Sequence, residues 1–246
     1  MFSDYMVLQR ERAVPVWGWG TPGASVQVSF AGQNVAAVID TSGKWQIRLA
    51  PLAATADGQS MTISSGGEAI NFQQVLVGDV WFASGQSNMH WKVKNSNDAV
   101  NEIAAANFSG IRLYQVPNLV SRTPADDVQG EWTLCTPETI PEFSAVAYFF
   151  GRELHQAEDV PIGLVHSSWG GTPSEAWTSL EMLESKVIRT SVKGLRMSAL
   201  RVMTSRRCKS RRHSTWMRSG RSLKRWKPAM TEPMRSCRTT TVIGVQ

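Results

Sequence analysis

The sequence predicts an α/β domain preceded by an all-β sandwich, and three observations lead there. Six short apolar runs broken by turn signals fill residues 1–74, helical and strand patterns alternate over residues 75–185, and the apolar run 75–82 leads straight into Gly85-Gln86-Ser87-Asn88-Met89. Residues 186–246 differ in composition and form a third segment, a basic tail.

Sandwich strands are expected at residues 14–17, 24–30, 35–39, 44–49, 61–64 and 70–75, with turn signals at 18–23, 31–34, 40–43 and 65–67. Residues 25–30 and 45–49 alternate apolar with polar side chains, so each strand has one core face and one wet face. Trp17, Trp19 and Trp45 fit core packing at turn-flanked strand ends; a sugar-stacking platform is the alternative.

Residues 75–82 have the β-branched and aromatic character of a buried strand, and Gly85 supplies the freedom for a sharp turn at its carboxyl end. Ser87 then lies in the crevice beyond the strand ends, where open α/β sheets bind ligands and a helix N-terminus can offer free N–H groups. Ser87 is therefore a candidate nucleophile, with an N-cap serine as the competing reading. Downstream, Asn97-Asp98 can cap a helix bearing Val100, Ile103 and Ala104, and residues 111–116 read as a strand. Residues 144–158 are the strongest helix, with Val146, Phe149, Phe150 and Leu154 roughly on one face, and Pro161 ends it before a strand at 162–166. Strands alternating with helices imply a mainly parallel sheet with helices on its faces, a three-layer unit. Ser168-Trp169-Gly170-Gly171-Thr172 follows the last strand, either as an ordinary turn or as a place where backbone approaches a ligand.

Several blocks occur in an order that resembles the sialate O-acetylesterase family of SGNH-type carbohydrate esterases. They are Phe2-Ser3-Asp4 with Met6-Val7-Leu8-Gln9-Arg10, Pro15-Val16-Trp17-Gly18, residues 75–89, residues 143–154, and Ser168-Trp169-Gly170-Gly171-Thr172-Pro173 with Glu175-Ala176-Trp177. The resemblance covers about residues 2–184. It implies a flavodoxin-like three-layer SGNH domain, truncated here, that hydrolyses an O-acetyl ester on a sialic acid or another sugar through an acyl-Ser87 intermediate, without metal or organic cofactor. It also implies an oxyanion hole from the N–H groups of Ser87 and Gly171, with Gly170 as second choice. Gln86, Asn88, Thr172 and Glu175 become substrate-pocket candidates, Asn88 alternatively supporting the elbow. The implied partner is an acetylated sugar or sialoglycan. Members of this family are usually exported, to the periplasm or the exterior, yet no charged-then-apolar leader opens this sequence and no run of about 18 apolar residues occurs, so neither signal peptide nor membrane span is expected.

An activated serine needs a base, and here the pattern departs from the family. The resemblance implies a Gln-Gly-Glu block and a later Asp-x-x-His, and no Asp-x-x-His occurs in the 246 residues. The histidines are His90, His155, His166 and His213. His90 lacks a neighbouring orienting acid, His155 falls on the polar side of a helix, His166 stands at a strand end, and His213 is flanked by Arg211-Arg212, whose charge lowers its basicity. A catalytically inactive remnant that binds acetylated glycan at Ser87 is therefore the alternative to an esterase.

Charge locates the break. Residues 1–185 hold 9 basic and 19 acidic residues, whereas residues 186–246 hold 17 basic and 1 acidic. Only 10 of those last 61 residues are Leu, Ile, Val or Phe, too few to offset ordering entropy, so a disordered tail is expected. Either it is a genuine basic extension able to bind phosphates, or it is translated out of frame. The single-point loss of family likeness favours the second, and the lack of aromatic interleaving beyond Trp216 and Trp226 disfavours nucleic-acid binding. Cys135, Cys208 and Cys237 show no metal or disulfide spacing. Translation of the coding DNA in the other two frames beyond about codon 185 should reveal a Gln-Gly-Glu block and an Asp-x-x-His; if both frames lack them, the frameshift is refuted.

Overall fold

The computed structural model describes residues 1–121, 125–184 and 242–244. Two units are distinguished, residues 1–173 with 240–246, and residues 174–239. In the first unit the strands are β1 (Val7–Gln9), β2 (Val14–Trp19), β3 (Ser25–Phe30), β4 (Gln33–Val38), β5 (Lys44–Leu49), β6 (Thr55–Ser65), β7 (Glu68–Gly85), β8 (Phe108–Gln115), β9 (Trp132–Cys135), β10 (Ile162–Ser168) and β11 (Val242–Gly244). Its helices are α1 (Ser87–His90), α2 (Ala99–Ala105) and α3 (Ala145–Glu158). Of the second unit, a 3-10 turn Ser174–Trp177 and α4 (Leu180–Glu184) are described. The basic tail otherwise lies outside the described residues, and with it His213, Cys208, Cys237, Trp216 and Trp226.

All six expected sandwich strands form, and the alternation is realised: Val26, Val28 and Phe30 are buried on β3, and Trp45, Ile47 and Leu49 on β5. Strands β2 and β5 make a separate antiparallel pair, and their apolar faces join those of β3 and β6 in one hydrophobic cluster. The three tryptophans divide. Trp45 is buried against Gly18 and Trp17 is half-buried edge-on to Phe2, but Trp19, at the end of β2, is exposed.

The expected boundary at residues 74/75 falls inside β7, an 18-residue strand shared by both halves of the sheet. The first part of β7 pairs antiparallel with β6; from Asp79 to Gly85 it pairs in parallel register with β10, which in turn pairs in parallel with β8. The result is a mixed sheet in the order β4-β3-β6-β7-β10-β8-β9, with β1 and β11 also on β7. The all-β half is thus continuous with the α/β half. Short β1 explains the Met6–Arg10 block: it lies parallel to β7, and Arg10 forks onto Asp79 with two bonds of 3.0 Å while Gln9 bridges Asp79 and the Val80 N–H.

Among the described residues of the first unit, helices cover one face of the mixed sheet. On β8 and β10, Ile111, Leu113, Ile162 and Leu164 face a second hydrophobic cluster built with α1 and α3, whereas Tyr114 and Val165 face the first cluster. The helices therefore share one face, and the opposite face is sealed by the β-rich core. Nor is the buried stripe of α3 the expected one. Ala145, Ala147, Tyr148 and Gly151 are its buried residues, with Val146, Phe149 and Leu154 packed at the margin. Small residues win because the helix lies very close to β10: a Cβ on Gly151 would stand 2.7 Å from Leu164 Cδ1. Ser144 caps α3, accepting from the Ala147 N–H. Asp98 precedes α2 with no side-chain cap, its carboxylate instead accepting from Asn101.

Gly78, where β7 passes from one half of the sheet to the other, has no room for a side chain: a Cβ would stand 2.0 Å from the Pro161 carbonyl oxygen. Because the obstacle is backbone, Gly78→Ala is expected to cost about 1–3 kcal/mol, the usual penalty for overpacking. Denaturant titration measures it, and an unchanged midpoint would contradict this account of the junction.

Candidate active site

β7 ends at Gly85, whose φ of +144° favours glycine, and Gln86 turns the chain into the single-turn helix α1. Met89, buried in the second cluster, anchors that turn, leaving Gln86, Ser87 and Asn88 exposed at its tip. The serine is held by its own neighbour. Gln86 Oε1 accepts from the Ser87 N–H at 3.1 Å and from Ser87 Oγ at 2.8 Å. The Ser87 N–H, expected in an oxyanion hole, is thus occupied by the Gln86 side chain. Asn88 contributes its carbonyl to the Trp91 N–H.

The loop after β10 is tied to this elbow, since the Trp169 N–H donates to the Gly85 carbonyl at 3.1 Å. Of its two glycines, Gly170 faces the serine elbow: a Cβ there would lie 3.8 Å from both Ser87 Cα and His90 Cγ. Gly171, the first choice from sequence, has a φ of +80° and open space where its Cβ would be. Thr172 Oγ1 donates to the Trp169 carbonyl at 2.7 Å and so braces the loop. Glu175 lies in the second unit, on its 3-10 turn, with the Ser174 hydroxyl 3.4 Å from its carboxylate.

The histidines separate by environment. His155 Nδ1 is 2.7 Å from the Val160 carbonyl and its ring meets Phe108 edge-on, so it serves the end of α3. His166 is buried beside Phe143, with Nδ1 2.6 Å from Gln115 Oε1 and Nε2 2.6 Å from Ser168 Oγ. Burial pulls its basicity down to about 4, with the Met89 carbonyl opposing and the nearby His90 charge adding to the fall. His90 Nδ1 lies 3.3 Å from the Ser168 carbonyl and 3.5 Å from Ser168 Oγ. Among the described residues no histidine is hydrogen-bonded to a carboxylate, and no cluster of His, Cys, Asp and Glu could hold a metal. Cys135 is buried and its thiol is pushed up to about 12, which leaves it inert.

Sequence reasoning missed Gln115 and Ser168. The second was within reach, because His166 and Ser168 are two residues apart on one strand and share a face. Gln115 was not: it meets His166 only through the register of β8 with β10, strands separated in the chain by β9 and α3.

This arrangement occurs in a chain similar to known acetylesterases. It is 37% identical over 208 residues to the sialate O-acetylesterase of Homo sapiens, covering 75% of this chain and 40% of that protein. It is 35% identical over 202 residues to the sialate O-acetylesterase of Mus musculus, covering 74% of this chain and 37% of that protein. The crystal structure of a carbohydrate acetylesterase from Xanthomonas citri superposes with a TM-score of 0.72 at 40% identity, over 75% of this chain and 43% of that one. No protein-family model matches the chain. The chain spans about two fifths of the length of the curated relatives it matches.

Proposed function

From the premise that over three quarters of its length this chain belongs to the sialate O-acetylesterase family, we propose that it carries the nucleophile side of a carbohydrate O-acetylesterase site. Ser87 Oγ attacks the acetyl carbonyl, the sugar oxygen leaves, and water releases acetate from the acyl-serine. The developing oxyanion takes the place of Gln86 Oε1 on the Ser87 N–H and receives a second N–H from the Gly170-Gly171 pair.

The observation that carries this reading is the bond from Trp169 to Gly85, which holds the glycine loop against the serine elbow. A sugar substrate fits the rim, where Trp91 and Trp169, each one residue from the elements just described, are exposed and can lie against a pyranose face. The sialate is the sugar named for the relatives and is the first substrate to try.

By the family resemblance the base comes from an Asp-x-x-His, which these 246 residues lack. The test is acetate release from O-acetylated sialic acid by this chain joined to the C-terminal part of a relative, against the same fusion carrying Ser87→Ala. Equal rates would refute Ser87 as nucleophile.

A further inference from the structure

We infer that His90 is a substrate-contact residue, its Nε2 held as a hydrogen-bond acceptor for a hydroxyl of the sugar that enters the Ser87 crevice. The inference rests on the carbohydrate reading above and adds to it a residue and a direction of hydrogen bonding.

Two lines of hydrogen-bond logic fix the His90 proton on Nδ1. The first is direct: Nδ1 faces the Ser168 carbonyl at 3.3 Å, and a carbonyl oxygen can only accept. The second starts three residues away. Gln115 Nε2 donates to the carbonyls of Val116, at 3.0 Å, and His166, at 3.4 Å, so the amide orientation is set and Gln115 Oε1 is the acceptor facing His166 Nδ1. His166 therefore carries its proton on Nδ1 and accepts at Nε2, which obliges the Ser168 hydroxyl to donate to it. With its only hydrogen committed, Ser168 Oγ can offer His90 Nδ1 nothing but a lone pair. Both lines agree, and His166 stays neutral, as its burial requires.

The consequence falls on the other edge of the His90 ring. In neutral His90 the proton on Nδ1 leaves Nε2 a lone-pair acceptor, and Nε2 makes no hydrogen bond among the described residues. His90 is half-buried, one helical turn after Ser87, and a Cβ on Gly170 would touch its ring and the serine Cα alike. Ser87 Oγ donates to Gln86 instead, so the acceptor is left for the ligand. An acetyl group has no polar hydrogen. We assign the donor for Nε2 to a hydroxyl of the glycan, and an acceptor placed there selects sugars that keep that hydroxyl. Gln115, His166 and Ser168 act through His90 as positioning residues.

The test uses the full chain and needs no turnover. Long-range proton–nitrogen NMR above neutral pH assigns imidazole tautomers, and both His90 and His166 should be Nδ1–H forms, the less populated tautomer of free histidine. On titration with free sialic acid, the His90 Nε2 resonance should move as expected for a nitrogen accepting a hydrogen bond, together with the Ser87 amide. His90→Phe should weaken sialic acid binding about fivefold, the loss of one neutral hydrogen bond, and His90→Gln, which keeps an acceptor, should recover part of it. An Nε2–H tautomer at His90 overturns the inference. A Ser87 amide that responds while His90 Nε2 does not overturns it too, leaving the esterase reading intact. Silence at both residues at saturating sialic acid overturns both.

Discussion

Ser87→Ala is expected to lower acetate release by a factor on the order of 10⁴ to 10⁶ in the chain completed with an Asp-x-x-His, the range seen when a serine hydrolase loses a triad member. In the 246-residue chain itself, the same substitution should change nothing measurable. A serine hydroxyl is a weak nucleophile near neutral pH until a base takes its proton. Here its hydrogen is directed at Gln86 Oε1, and an amide oxygen is far too weak a base to accept it. An oxyanion hole and binding alone supply only about 10³ to 10⁴ over water, little for a slow assay to see. The measurement is hydrolysis of a chromogenic acetyl ester by four proteins: the chain and the completed chain, each with and without Ser87. Clear turnover by the unextended chain, lost with Ser87→Ala, would show a base among its own residues. His90→Ala and His166→Ala would then identify it, with His90 the first to examine because it stands one turn from the serine.

Acid should destabilise the fold through His166. Its imidazole is held at about 4 by burial, against 6.5 when exposed, so between those two pH values the unfolded chain binds a proton that the folded chain refuses. Stability contributed by the neutral ring is complete above pH 6.5 and is lost as pH falls towards 4. The loss amounts to roughly 3 kcal/mol, because each pH unit between the two values is worth about 1.4 kcal/mol. His166→Gln cannot take up that proton. Its unfolding free energy should fall less than that of the parent between pH 7 and 4, even if the substitution lowers stability throughout by disturbing Ser168 and Gln115. Glu142, held down at about 2 by hydrogen bonds from Lys92 and Lys94, contributes stability that is lost only below about pH 4.5, mostly outside this window. Parallel pH profiles for parent and variant in urea titrations would show that His166 titrates normally.

What could be read without coordinates was local. The turn at Gly85 and the serine after it follow from short-range rules, as do the alternation of β3 and β5 and the α3 helix, because each is decided by a few neighbouring residues. The family blocks likewise named Ser87 and the Gly170-Gly171 loop. Even there, periodicity did not find the most buried residues of α3: Phe149 and Leu154 are larger and more apolar but lie at the margin, whereas Gly151 allows the helix to reach Leu164.

By itself, then, the sequence determined most of the elements, the family likeness and the point at which that likeness ends, and it put Ser87 forward as the candidate nucleophile. Tertiary structure decided that β7 runs unbroken through the expected domain boundary, that the described helices of the first unit lie on one face of the sheet, and that the Cβ direction of Gly170 faces Ser87 and His90. It also decided the chain of contacts from Gln115 through His166 and Ser168 to His90. The physical reason is register. Which residue of β8 stands beside His166 depends on how two strands separated in the chain by β9 and α3 settle against one another, and a shift of one residue would carry Gln115 to the opposite face. Turn chemistry and periodicity act within a few residues and are written in the local sequence, whereas register is settled by the packing of the whole sheet.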